Sequence, residues 1–146
     1  MQKIHLTQGK IALVDDEDFE WLNKWKWYFH KTGYATTNGG KIFMHRLINN
    51  TPQGLHTDHI NRKKLDNRRS NLRSVTPGQN SMNTELRKNN TSGYRGVTWH
   101  GIGKGYWRAI LTVNDKPIHL GLFTSKIDAA KAYNNAVYKY FGGVLP

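Results

Sequence analysis

A chain of 146 residues with no cysteine cannot rely on disulfides or thiolate-bound zinc, and its length allows one ordinary domain or two small ones. No window approaches the roughly 18 apolar residues of a membrane span, and "MQKIHLTQGK" lacks the apolar core of a signal peptide, so a cytoplasmic, non-membrane protein is expected. The formal net charge of +12 asks for an anionic partner. From Arg62 to Arg108 there are 11 Lys or Arg against 2 acids, interleaved with Asn, Ser, Gly and Tyr rather than gathered on one amphipathic helix, which favours nucleic acid over a membrane surface.

In chain order, residues 1–52 read as an α+β opening. "KIHL" and "KIALV" are short strands, "DDEDFEWLNKW" is a short helix with acids in its first turn, and "GYATTNGGKIFMHRL" is a hairpin around Asn38-Gly39-Gly40. Trp21 and Trp25, four apart, are predicted to share a core-facing helix side, and Trp27 lies close by. His45 is expected to be a packed or hydrogen-bonded histidine.

The stretch "GLHTDHI" predicts one strand, "SNLRSVT" its antiparallel partner, and "PGQNSMN", with Pro77 in its first turn, the start of a crossing helix. Phosphodiester hydrolysis needs an activated water, a cation at the phosphate and side chains that hold the strand. Asp58 is a hard oxygen ligand for Mg²⁺ or Mn²⁺, Asn80 offers a second oxygen, and His59 can take a proton from water near neutrality. Arg62, Lys63, Lys64, Arg68, Arg69 and Arg73 supply charge for a DNA backbone. Asp58 and His59 can serve one phosphate only if the strand ends or bulges there, because adjacent strand residues point to opposite faces.

This segment resembles the HNH, or ββα-metal, nuclease motif over about residues 44–83: "DHI" matches the first element, Asn71 of "NLR" the central asparagine, and Asn80 the third position. "MHRLI" before it and "NSMN" after it are similar to the phage and intron-encoded subgroup. The resemblance implies that His59 is the general base, that Asp58 and Asn80 bind one divalent metal, and that Asn71 pins the hairpin to present His59. The zinc-binding cysteines of some members are lacking, so residues 1–52 are expected to support the module.

Residues 84–91 lie within "TELRKNNTS", which is polar, without apolar periodicity, and reads as a linker. Beyond it, "GYRGVTWH", "YWRAILTV" and "KPIHLGLF" are strand-like runs separated by the turn signals "GIGKG" and "ND". "SKIDAAKAYNNAVYKYF" switches to helical spacing, with Ile127, Ala130, Tyr133, Val137 and Tyr140 as its apolar stripe, Ser125 and Asp128 spaced as a capping box and Gly142 as the stop. The helix covers one sheet face and leaves the other bare. Strand alternation places Arg108, Ile110 and Thr112 on the bare face if Trp107, Ala109 and Leu111 face the helix. The order "YRGV", "WRA", "LG-x-F", "AAKAY" over residues 92–143 resembles the Apetala-two, or ethylene-response-factor, DNA-binding domain. That resemblance implies that the bare face lies in the DNA major groove and adds Arg95, Thr98, His100 and His119 to it. Arg95 and Arg108 are the candidates for paired hydrogen bonds to guanine. Trp99 and Trp107 are expected to pack in the core.

The sequence therefore predicts an α+β chain with an N-terminal support region (1–52), a ββα-metal nuclease module (53–83), a linker (84–91) and a three-stranded sheet on one helix (92–146). The expected activity is metal-dependent hydrolysis of double-stranded DNA, in the manner of a phage-type or intron-type homing endonuclease acting in a host cytoplasm, with no obligatory protein partner. Two other readings are a non-catalytic DNA-binding regulator on a nuclease scaffold and an RNA-binding protein. The first leaves the Asp58, His59, Asn71 and Asn80 combination without a purpose, and the second wants more exposed aromatics on the sheet.

Overall fold

The computed structural model describes residues 1–101 and 104–142. Ile102 and Gly103, in the turn expected at "GIGKG", lie outside the described residues, as does the end of the last predicted domain from Gly143 onward. Two compact units form, one over Met1–Asn83 and one beginning at Thr84.

In the first unit, β1 (Gln2–His5) pairs antiparallel with β2 (Ile11–Val14), and α1 (Asp16–Leu22) follows with Asp16, Glu17 and Asp18 in its first turn, where acids complement the helix dipole. Strands β3 (Tyr28–Phe29), β4 (Ala35–Thr37) and β5 (Ile42–Phe43) make a small antiparallel sheet in that order. Helix α2 (Met44–Asn49) then stands where the sequence suggested the tail of a hairpin; Asn50 stops it in the left-handed conformation and returns its amide to the Arg46 and Leu47 carbonyls. The helix buries Met44, His45 and Ile48. Strands β6 (His56–His59) and β7 (Leu72–Val75) pair antiparallel, His56 opposite Val75 and His59 opposite Leu72. Helix α3 (Pro77–Met82) packs on both of them. Thr76 caps α3 reciprocally with Gln79, which satisfies two amides of the first turn.

One core holds the unit together: Ile4, Leu6, Ala12, Val14, Leu22, Trp27, Ala35, Met44, Ile48 and Leu72. Residues 1–50 contribute most of it and the β6–β7 hairpin adds Leu72, which anchors the hairpin on the N-terminal region. A backbone seam reinforces this, with Leu13 donating to the Leu65 carbonyl and accepting from the Asn67 amide. The predicted pairing of Trp21 with Trp25 is corrected, because α1 ends at Leu22. Trp25 is exposed and stacks on buried Trp27, whose indole donates to the Leu22 carbonyl.

In the second unit, β8 (Val97–His100), β9 (Tyr106–Val113) and β10 (Lys116–Phe123) form an antiparallel sheet in sequential order, and α4 (Lys126–Phe141) packs on it. Asn114 and Asp115 both take positive φ, as a tight right-twisted hairpin requires. The core stripe of α4 is Ala129, Ala130, Tyr133, Ala136 and Val137, while Ile127 and Tyr140, expected on it, are exposed. Ser125 caps the helix by accepting from the Ile127 and Asp128 amides; the Asp128 carboxylate, read as the reciprocal half of a capping box, pairs with Lys131 instead. Residues 84–91, read as a linker, fall in this unit, where Asn90 donates to the Tyr94 carbonyl and accepts from the Gly93 amide.

Gly96 shows how close the packing is. Its φ is +67°, and a Cβ there would overlap the buried Tyr133 ring and sit 2.6 Å from the Ile110 carbonyl oxygen. Gly96→Ala combines left-handed strain with a clash against backbone, so a loss of about 2 to 3 kcal/mol is expected in a urea melt followed by Trp99 and Trp107 fluorescence. An unchanged midpoint would contradict it.

Candidate functional site

The β6–β7 register builds the site. Asp58 and Arg73 are cross-strand partners, so their side chains share a face. Arg73 donates through Nε to Asp58 Oδ2 at 2.8 Å, with Nη2 2.7 Å from the same oxygen. The other carboxylate oxygen accepts from Asn83 Nδ2 at 2.9 Å, and the same amide nitrogen lies 2.7 Å from the His59 carbonyl oxygen. Asn83, directly after α3, thereby holds the side chain of Asp58 and the backbone of His59 together. Its own Oδ1 is buried without a hydrogen-bond partner among the described residues.

His59 is the last residue of β6, and its ring meets a different set of groups. Nε2 lies 3.0 Å from Asn67 Oδ1, and the rings of His45 and Tyr34 lie 5.1 and 5.8 Å away. Burial pushes the imidazole below its ordinary pKa; the Asn67 hydrogen bond and the carboxylates of Asp58 and Asp66 oppose this, and Lys64 reinforces it. The net lowering keeps His59 neutral at pH 7, the state in which it can accept a proton. The same environment pushes His45 down to about 3, mainly by burial and then through His59 and Arg46, and burial raises Tyr34.

Asn71 closes the loop between the strands. Its Nδ2 donates to the Asp66 carbonyl at 2.7 Å and its Oδ1 accepts from the Asn61 amide at 2.9 Å. Asp66 takes the Asn61 side chain and both ends of the Arg68 guanidinium, which hold its carboxyl below the usual range. Asn80 is half-buried on α3, with Nδ2 3.2 Å from His56 Nδ1, rather than bonded to Asp58.

The basic run divides on inspection of its partners. Arg69 reaches α1 and forms a two-point pair with buried Asp18 plus an ion pair with Glu17, Arg68 is taken by Asp66, and Arg73 by Asp58. Lys64 donates to the Thr32 carbonyl and lies over the Tyr34 ring. Four of the six cations read as holding a DNA backbone, Lys64, Arg68, Arg69 and Arg73, thus also tie the unit together. Arg62 and Lys63 are exposed and form no ion pair among the described residues.

In the second unit, Thr98, Arg108 and Leu122 are register neighbours, as are His100 with Tyr106, His119 with Ile110, and Thr112 with Pro117. They line the sheet face turned away from Val97, Ala109 and Leu111. A bulge between His119 and Gly121 sets the Leu122–Arg108 pairing. Arg95 stands outside the strands, and its guanidinium is held by the Thr84 carbonyl and hydroxyl. Trp99, expected in the core, is 45% exposed and packs edge-on against Trp107.

Comparison with known proteins bears on both units. A family model described as HNH endonuclease matches residues 50–82, which spans β6, β7 and α3. An uncharacterized HNH endonuclease of Acanthamoeba polyphaga mimivirus is 32% identical over 142 residues, covering 92% of this chain and 73% of that protein. The chain belongs to the HNH endonuclease family. Protein 3.8 of Escherichia phage T7 is 37% identical over 65 residues, covering 44% of this chain and 53% of that protein. No solved structure matches. An HNH nuclease domain implies DNA as substrate, and no described helix is long and apolar enough to cross a membrane.

Two residues of this HNH site escaped the sequence reading. Asn67 and Asn83 are polar residues in an Asn-rich stretch, and their burial is invisible before folding. Asn83 carried one usable signal, its place three residues after Asn80 at the end of a short helix, which sets both on one side.

Proposed function

We propose that this HNH protein is a divalent-metal-dependent DNA endonuclease in which His59 activates water. The observation that carries the reading is the Asp58-His59 pair at the end of β6, a carboxylate beside a buried imidazole, fastened by one asparagine amide. The donor set suits a hard cation: Asp58 with the amide oxygens of Asn80 and Asn83. Asn83 Oδ1 supports this, because a buried amide oxygen without a partner is uncommon. Among the described residues no three His, Asp or Glu side chains gather into a site by themselves, so the amides have to complete it. A bound Mg²⁺ or Mn²⁺ would neutralise charge on the phosphate and leaving oxygen. His59 takes the proton from the attacking water, Asn71 keeps the loop closed around it, and the exposed sheet face with Arg108 reads DNA in the major groove.

The test is supercoiled plasmid incubated with the full chain with and without Mg²⁺ or Mn²⁺. Cleavage is expected only with the metal, and Asp58→Asn should shift the metal titration to about 10-fold or more higher concentration by removing the charged ligand. An unchanged titration would remove Asp58 from the metal site. The Arg73–Asp58 pair favours a second reading, a DNA-binding regulator on a nuclease scaffold, because the guanidinium already neutralises the carboxylate. Binding without cleavage in either metal would establish that reading instead.

Arg62 and Lys63 are the cations of the loop left for phosphates. Replacing both with glutamine is expected to weaken binding to every sequence alike and to flatten the slope of log affinity against log salt by about 0.9 for each lost contact. A loss confined to one sequence would show base reading instead.

A further inference from the structure

The reading of His59 as the base leaves open which ring nitrogen accepts the proton, and the residues behind it decide this. Asn67 is fully buried, and its backbone amide is fixed by the Leu13 carbonyl. One end of its side-chain amide faces His59 Nε2 at 3.0 Å and the other faces the Met44 sulfur at 3.3 Å. Met44 is itself fully buried on α2. A thioether carries no proton and can only accept, so the NH₂ end of the amide belongs on Met44 and the carbonyl end on His59. That carbonyl oxygen cannot donate, so Nε2 must carry the hydrogen. A neutral imidazole has one N–H, which leaves the lone pair on Nδ1.

We propose that Asn67, oriented by Met44, is a positioning residue that fixes His59 as its Nε2–H tautomer and so makes Nδ1 the atom that accepts the proton of the attacking water. In the step this serves, a water O–H bond breaks and its proton goes to Nδ1. The freed electron pair forms the new bond from the water oxygen to phosphorus, and a P–O bond to the sugar breaks with its pair on the leaving oxygen, which solvent protonates. The rings of His45 and Tyr34 beside His59 restrict its rotation, so the amide controls direction as well as protonation. The opposite tautomer would leave the Asn67 oxygen facing a lone pair in a buried place, with no donor for either. The inference rests on the nuclease reading for the role of Nδ1, but not for the tautomer itself.

The test is a long-range ¹H–¹⁵N spectrum of the full chain labelled at histidine, with His59 assigned by the signal lost in His59→Gln. Wild type is expected to show a protonated Nε2 and a bare Nδ1 at His59. Asn67→Asp keeps an acceptor in place and should retain that pattern, whereas Asn67→Leu should move both shifts toward an average of the two tautomers. Plasmid cleavage should fall about 10-fold to 100-fold in kcat for Asn67→Leu, with KM little changed, and recover in part in Asn67→Asp. A wild-type spectrum with the hydrogen on Nδ1 overturns the proposal, as does an Asn67→Leu spectrum identical to wild type. The wild-type spectrum decides the tautomer even if Asn67→Leu does not fold. A chain with the expected spectrum and no cleavage would sink the nuclease reading while leaving the hold of Asn67 on His59 in place.

Discussion

His59→Ala is expected to lower plasmid cleavage by about 100-fold to 10,000-fold while DNA binding in a gel-shift assay stays near wild type, because the ring acts on water and not on the strand. The side chain is buried against Asn67, His45 and Tyr34, so the substitution also leaves the Asn67 oxygen unpartnered. That costs stability, on the order of 1 to 3 kcal/mol. A thermal melt on the same preparation separates the two effects: a folded variant that no longer cuts isolates the chemistry. Added imidazole provides a further check, since it can enter the space left by the ring and restore part of the rate. A folded His59→Ala chain that cleaves at the wild-type rate would end the assignment of His59 as base.

How much of this was legible beforehand varies with the range of the interaction that decides each feature. The β6–β7 hairpin and α3 could be read locally, because "LHTDHI" and "NLRSV" have strand composition and Thr76, Pro77 and Gln79 spell a helix start within a few residues. Alternation likewise put Arg108, Ile110 and Thr112 on one sheet face. The roles of Arg68, Arg69 and Arg73 were not legible, since charge is written in the sequence but partners are not. Arg69 is claimed by Asp18, 51 positions earlier, and no local pattern announces that pair. The α2 helix was missed for a related reason: its burial of Met44, His45 and Ile48 against a core assembled from distant strands outweighs the weak local preference of "MHRLI". Asn67 and Asn83 are the clearest case, two asparagines whose chemistry comes entirely from what surrounds them.

Protonation of His45 is expected to destabilise the first unit in acid, with a large effect. It is 7% exposed, its Nδ1 is buried with no partner among the described residues, and its pKa is pushed down to about 3. The groups facing it all oppose a second positive charge or offer it nothing: the Tyr34 and Phe43 rings at 4.6 and 5.6 Å, the His59 ring, and the Arg46 guanidinium acting through its field. In the unfolded chain the same imidazole titrates at its ordinary value near 6.5. Between those two values the unfolded state binds more protons than the folded one, so stability falls as pH falls through the window from about 6.5 to about 3. The full difference corresponds to a ceiling of about 5 kcal/mol, comparable with the whole stability of a small domain. His59, also lowered, adds to the loss in the same direction, whereas Asp66, lowered by Arg68, surrenders its pairing only below the usual carboxylate range. Urea midpoints taken from pH 7 to pH 4 should therefore drop steeply in wild type. In His45→Phe, which removes the titrating ring and its orphaned nitrogen together, they should drop more gently, with the residual slope belonging to His59. Equal slopes in the two proteins would show that His45 is not the group whose protonation opens the unit.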